Sequence, residues 1–169
     1  EKAKQGPQRR IIYAEGENDD VLMSMQAMVD EAVAKPILIG RESVMQLAID
    51  RLSLRFKLGE EVEVFDPKDC DLHDRYWQHY HTKVGRKGVS VETAKQEMRN
   101  NPTALASVML DLNEAHGMIC GKIGRFDTHF KTLFNVLGPK TPDTHVSTVC
   151  ALLLPSGPLF LADAFLTID

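Results

Sequence analysis

What this sequence lacks excludes most function classes before any motif is read. No stretch approaches the ~18 consecutive apolar residues that a membrane-spanning helix needs, and Glu1–Arg10 is polar rather than signal-like. The expectation is a soluble, cytoplasmic protein with no membrane partner. Cysteine is scarce: Cys70, Cys120 and Cys150 are odd in number and widely spaced. Two of them sit in apolar runs, so buried free thiols in a reducing compartment are expected rather than a disulfide framework or a thiolate metal centre. No excess of positive charge exists either. The formal net charge of −4 gives no support to a nucleic-acid surface, although local basic patches can still meet small anions.

Two phosphate-binding signatures are missing as well. There is no GxxxxGK[ST], and Glu15-Gly16-Glu17 lacks the glycine series of a dinucleotide fingerprint. Nor does any Ser–His–Asp or Cys–His arrangement have a spacing that compels belief. His73, His79 and His81 do not make a metal site on a helix, where 73, 77 and 81 would share a face and 77 is Trp. No catalytic residue and no metal ligand is therefore singled out.

What is present is an α/β rhythm in 169 residues, 43% of them hydrophobic and enough for one sizeable core. Arg10–Ala14 reads as a strand that breaks into the acidic turn Glu15–Asp20, where Asn18 or Asp19 can cap a helix. Val21, Leu22, Met25, Met28, Val29 and Ala32 trace that helix at 3.6-residue spacing. Ile37-Leu38-Ile39 is the next strand, closed by Gly40, and together the three form a βαβ unit. Ser43–Arg51 follows as a short helix with Val44, Leu47 and Ala48 inward, then a strand Val62–Phe65. An aromatic helix is expected from Leu72 to Tyr80, with Leu72, Tyr76 and Tyr80 at spacing four. A basic turn, Lys83–Gly88, contains Arg86 and Lys87. Ser90 caps a helix carrying Val91, Ala94 and Met98, and Asn101-Pro102 is a cap-plus-proline start for Thr103–Leu112. Near the end, Thr148–Leu154 and Leu159–Asp163, with four turn residues Pro155–Pro158 between them, predict an antiparallel hairpin within an otherwise parallel sheet. Such an apolar hairpin calls for a cover, either further sequence or a partner subunit.

The strongest chemical signal lies at Ala115–Phe134. His116–Cys120 reads as a short buried strand that opens onto Gly121, Lys122, Gly124 and Arg125 before a helix with Phe130, Leu133, Phe134 and Leu137 on one face, ended by Gly138-Pro139. Glycines at 121 and 124 let backbone amides approach a ligand, and Lys122, Arg125 and Lys131 can neutralise phosphate-like charge beside a helix N-terminus. An ordinary alternative stands beside this one: Asp127 and Lys131, four apart with the acid first, suit an exposed helical ion pair. His129 is a surface or structural histidine unless a nucleophile stands near it. Arg86 and Lys87 can touch the outer phosphates of an anionic ligand or simply meet solvent.

These residues also carry a family likeness. Ile11–Asp19, followed by Ala34–Gly40, resembles the opening of the phosphate acetyl/butyryl transferase family. Gly85-Arg86-Lys87-Gly88-Val89, the Cys120-Gly121-x-x-Gly124-Arg125 stretch and Leu153–Asp163 narrow the likeness. They resemble the acetyltransferase-like C-terminal domain of large bacterial NADP-dependent malic enzymes. From about residue 9 the likeness covers nearly the whole chain. It implies a three-layer α/β/α fold of phosphate acetyltransferase type, mostly parallel with an antiparallel hairpin. Residues 1–9 would be an arm, and residues 10–169 the N-terminal and central part of the domain.

The resemblance implies acetyl-CoA, or another phosphate-bearing small molecule, as ligand and a homodimer built through this domain within a larger oligomer. It implies Gly121, Lys122, Gly124, Arg125, Lys131 and Arg86 as binding residues. In free-standing transferases the thiolate of coenzyme A attacks the acetyl phosphate carbonyl while basic residues hold the phosphoryl oxygens. Lys131 stands where those enzymes look to have an arginine, which keeps the charge and loses the planar fork. The family's Ser-Arg pair and assisting aspartate fall beyond Asp169. The expectation is therefore a regulatory domain that senses acetyl-CoA and aids assembly. NADP and a divalent metal would belong to malic enzyme domains outside this chain. An active acetyltransferase and a purely structural domain are the alternatives.

Overall fold

The computed structural model describes residues 7–68, 73–139, 141 and 146–162. Cys70 and Leu72 lie outside them, as do residues 1–6 of the expected arm. The chain forms two compact units, Glu1–Gly138 and Pro139–Asp169.

In the first unit, β1 (Arg9–Tyr13), β2 (Ala34–Ile39), β3 (Glu63–Phe65) and β4 (Gly117–Ile119) make one sheet in the order β3-β2-β1-β4. Every pairing is parallel, with Ile12 opposite Ile37 on one side and Met118 on the other. The chain winds outward from β1 to β3, then returns to place β4 on the opposite side of β1. That reversal creates a switch point between β1 and β4, where neighbouring connections leave in opposite directions and open a crevice at the strand ends.

Side-chain alternation decides which helices cover which face. Ile12, Ala14, Ile37 and Ile39 point into a core with Tyr76, Met98, Leu105 and Val108. These come from α3 (His73–Val84), α4 (Val91–Asn100) and α5 (Pro102–Asp111), with Val136 of α6 (Phe126–Val136) joining them. Tyr13 and Leu38 point the other way, into a second core with Leu22 and Met25 of α1 (Asp19–Asp30) and Met45 and Ile49 of α2 (Glu42–Arg51). Two cores on opposite faces of one sheet give the three layers expected.

Helix starts follow their caps. Asn18, not Asp19, caps α1 by accepting from the amides of Asp20 and Val21. Ser90 accepts from Thr93 and Asn101 from Ala104, with Pro102 at the first helical position of α5. Each cap satisfies a donor that the helix itself leaves open.

Several expectations need correction. In α2 the inward residues are Met45, Ala48 and Ile49, while Leu47 is 72% exposed. A run of apolar residues at 44, 45, 47, 48 and 49 fits two faces, and packing in the core of Tyr13 and Leu38 selects the face of Met45 and Ile49. Ala32 lies beyond α1 with a positive φ, so the helix is shorter than its apolar spacing. β4 is not buried: it is an edge strand, and its outermost residue Ile119 is half exposed. Cys120 and Cys150 are free but only partly buried. Among the described residues, no helix is long and apolar enough to cross a membrane.

The second unit holds the hairpin of β5 (Val149–Leu154) and β6 (Gly157–Ala162), paired antiparallel from Val149↔Ala162 to Leu154↔Gly157. It is a two-stranded sheet of its own, not part of the parallel one. Its turn is Pro155-Ser156 alone, because Gly157, with φ +122°, already pairs. Leu153 is 87% exposed, and Val149 and Phe160 are about two-thirds exposed.

Candidate functional site

The strand-end crevice is built by the turns after β1 and β4. Ala14 donates to the Ile119 carbonyl at 3.0 Å, which keeps the two strand ends together. Beyond it, the amide of Gly121 donates to Glu15 Oε1 at 2.8 Å, and Lys122 Nζ lies 2.6 Å from Asp20 Oδ2. Two of the donors that the sequence assigns to an anion, the Gly121 amide and Lys122, are therefore held by carboxylates of the acidic turn. Gly16 and Glu17 fix that turn to β2. Gly16 donates to the Ile39 carbonyl at 3.0 Å, and Glu17 accepts from the backbone amide, Nε and Nη2 of Arg41 at 2.7–2.9 Å.

A cleft of about 690 Å³ runs from this turn across the ends of β2 and β3. Glu17, Arg41, Asp66 and Lys68 line one side, and Arg99, Asn100 and Pro102 at the α4–α5 corner line another. Arg99 is exposed and makes no hydrogen bond or ion pair among the described residues. No sequence pattern marks it. It reaches the cleft because Asn101 ends one helix and caps the next, turning the last residues of α4 toward the strand ends.

The glycine turn itself is tied down by a histidine. His129 Nε2 lies 2.7 Å from the Ile123 carbonyl, and Nδ1 lies 2.9 Å from Thr103 Oγ1. A carbonyl only accepts, so Nε2 carries the proton and, in the neutral ring, Nδ1 receives the threonine hydroxyl. Gly124 has φ +103°, and a side chain there would come within 2.9 Å of His129 Nε2. Thr103 also meets Cys120, whose thiol is pushed up by burial and by the Glu15 carboxylate, with the Thr103 contact opposing. A thiol raised in this way is a poor nucleophile.

The remaining predicted cations separate into two groups. Arg125 turns back on Asp127, Nε to Oδ1 at 3.0 Å. That contact takes the place of the alternative Asp127–Lys131 ion pair, and it holds the Asp127 carboxyl below its ordinary range. Lys131 is left exposed with no partner among the described residues. Lys87, from the 3₁₀ turn Gly85–Lys87, donates to Asn135 Oδ1 at 2.8 Å. Asn135 is four residues after Lys131 and on the same helical face. Asn135 thus brings Lys87 to the face of α6 that carries Lys131, whereas Lys122 is drawn away to Asp20. By sequence these residues look like one junction and one distant turn.

Among the described residues, no three His, Cys, Asp or Glu side chains are placed to hold a metal ion. Phe126, Phe130 and Phe134 stack along α6 with ring centroids 5.8 and 5.9 Å apart, Phe126 and Phe134 being nearly half exposed.

A family model described as phosphate acetyl/butaryl transferase matches residues 1–169. The NADP-dependent malic enzyme of Escherichia coli (strain K12) is 36% identical over 97% of this chain and 22% of its own length. The NAD-dependent malic enzyme of Rhizobium meliloti (strain 1021) is 32% identical over 98% of this chain and 21% of its own. A phosphate acetyltransferase of Nitratidesulfovibrio vulgaris is 29% identical over 96% of this chain and 22% of its own. The chain thus spans about a fifth of the length of these relatives. Among solved structures, EutD phosphotransacetylase from Staphylococcus aureus superposes with a TM-score of 0.79 at 16% identity. That match covers 96% of this chain and 48% of the other. A phosphotransacetylase from Streptococcus pyogenes gives 0.83 at 18% identity, over 99% of this chain and 50% of the other. At those identities the likeness is one of fold.

Proposed function

From the premise that this chain belongs to the phosphate acetyl/butyryl transferase family, we propose that it binds acetyl-CoA or acetyl phosphate as a signal. In this reading it is a regulatory and assembly domain of a malic enzyme, and ligand binding lowers the oxidative decarboxylation of malate. NADP and a divalent metal belong to domains outside this chain. The observation that carries the reading is Lys131, exposed and without a partner among the described residues, on the α6 face that Lys87 reaches through Asn135. Lys131, with Lys87 tied through Asn135 to the same face of α6, suits the phosphates of an acyl-CoA.

Sensing is preferred to turnover because the carboxylates nearest the glycine turn are engaged. Glu15 accepts from Gly121, Asp20 pairs with Lys122, and Asp127 pairs with Arg125. In this closed arrangement none of these stands as a free base for a thiol, and the Cys120 thiol is pushed up by burial and by Glu15. Feedback of this kind requires the ligand to favour one of two states of the assembly. A homodimer through this domain is part of the proposal, and the exposed apolar residues of the β5–β6 hairpin offer surface for it.

Acetyl transfer between coenzyme A and phosphate is the second reading, favoured by the likeness to phosphotransacetylase folds. The test uses the full-length protein. Calorimetric titration with acetyl-CoA should show saturable binding, and malate oxidation should fall over the same concentration range. Thioester absorbance with acetyl phosphate and coenzyme A should show no turnover near ordinary enzyme rates, about 10 per second. Turnover at such a rate would replace sensing with catalysis. Silence in both assays would leave the structural role.

A further inference from the structure

The acidic turn does more than cap α1. We propose that Glu15 and Asp20 are displaceable internal occupants of the anion site, an autoinhibitory latch that a phosphoryl group must open. This rests on the reading of Gly121 and Lys122 as ligand donors.

The geometry is that of a site already filled. Gly121, with φ +95°, presents its amide to the crevice at the strand switch point, and Glu15 Oε1 receives it at 2.8 Å. Lys122 would supply the charge, and Asp20 Oδ2 holds it at 2.6 Å. A carboxylate and a phosphoryl oxygen are the same kind of acceptor for these donors. The single N–H of Gly121 cannot serve both fully. The three N–H groups of Lys122 could hold Asp20 and an anion together, but a phosphoryl group brought in beside both carboxylates would add like charge. Glu15 and an anion therefore compete directly for the Gly121 amide, while Asp20 opposes the anion by its charge.

The contact is also built to be exchanged. Lys122 and Asp20 are each at least half exposed, so the pair is a surface one of small net strength. Its backbone support does not move with it. Gly16 on Ile39 and Glu17 on Arg41 anchor the turn independently of either carboxylate. Opening needs only the two side chains to leave. The consequence reaches further than the crevice, because Asp20 lies in the first turn of α1 and its neighbour Asp19 pairs with Arg51 of α2. Loss of the Lys122 contact changes what holds the layer of α1 and α2 to the β4 turn.

The experiment titrates the full-length protein with acetyl phosphate and, separately, inorganic phosphate by calorimetry. It compares wild type with Glu15→Gln, Glu15→Ala and Asp20→Asn. Glu15→Gln keeps an acceptor for Gly121 and removes only the charge. Each variant should bind at least fivefold more tightly than wild type, and a silent wild type that gains binding in the variants supports the latch equally. Unchanged or weakened binding in all three, with a wild type that binds, overturns the latch and leaves the ligand reading intact. Silence in wild type and every variant overturns both together. Asp20→Asn, on an exposed helical position, carries the comparison should changes at Glu15 disturb folding, which circular dichroism reports.

Discussion

The hydroxyl of Thr103 and Nδ1 of His129 lie 2.9 Å apart, joining the first turn of α5 to α6. Through the other ring nitrogen the same histidine holds the Ile123 carbonyl, so one imidazole fastens the glycine turn to the helical layer. Thr103 is 4% exposed, and water does not readily replace the lost partner. Replacing His129 with alanine should lower stability by about 1–3 kcal/mol in urea titration. Hydrogen exchange at 121–124 should accelerate at the same time. Glutamine, which can donate at one end and accept at the other, should recover part of both. Unchanged exchange in the alanine variant would remove the fastening role.

Gly124 tests the same contact from the opposite side. Its φ of +103° disfavours any side chain, and a Cβ would also stand 2.9 Å from His129 Nε2. Gly59 shares the positive φ, at +79°, but has nothing within 4 Å. Alanine at 59 should cost about 1 kcal/mol from backbone strain alone. At 124 the cost should be larger by roughly another 1 kcal/mol, since either His129 or the turn must move. Equal losses at both positions, read from urea midpoints, would show that the histidine gives way freely.

The link between Glu17 and Arg41 makes the acidic turn sensitive to acid. The Arg41 guanidinium hydrogen-bonded to Glu17 holds its carboxyl below the usual glutamate range, with burial opposing. The folded value therefore lies below the unfolded one, about 4.3. Between the two values the unfolded chain binds more protons, so stability rises with pH there. The contribution is complete above the unfolded value and is lost as pH falls through the folded one. Glu17→Gln should flatten that acid limb in a melting-temperature series and leave the neutral-to-alkaline side parallel to wild type. An acid limb as steep as that of wild type would assign the loss to other carboxylates.

Local signals were legible where one residue decides an outcome. Asn18, Ser90 and the Asn101-Pro102 pair announced helix starts because a cap is a contact within three or four residues. The glycine turn after β4 was legible for the same reason. What one-dimensional spacing could not supply was the partner. Glu15 reaches Gly121 across 106 residues, and only the strand order β3-β2-β1-β4 makes them neighbours. The same reversal put His116–Cys120 at a sheet edge, although its apolar letters read as a buried strand. Helical spacing offered Asp127 to Lys131, but Arg125, just before the first turn of α6, was nearer. Arg99 had no local signal, since its place in the cleft depends on the angle between two helices.

Lys131 and Lys87 give the sharpest test of the cationic face on α6. Lys131 has no partner to lose among the described residues, so Lys131→Ala should leave the melting temperature almost unmoved. If a phosphate meets it, acetyl-CoA affinity should fall about tenfold, the scale of one charged hydrogen bond. Lys87 differs because Asn135 orients it at 2.8 Å. Asn135→Ala keeps the charge and removes the orientation, so its loss should be smaller than that of Lys87→Ala. Lys57, paired with Glu60 elsewhere on the surface, is the control, and its replacement should change nothing. Electrostatic contact also predicts that the gap between wild type and Lys131→Ala narrows as salt rises. A tenfold loss that persists unchanged in high salt would point to altered packing of α6, and no loss at all would remove Lys131 from the ligand site.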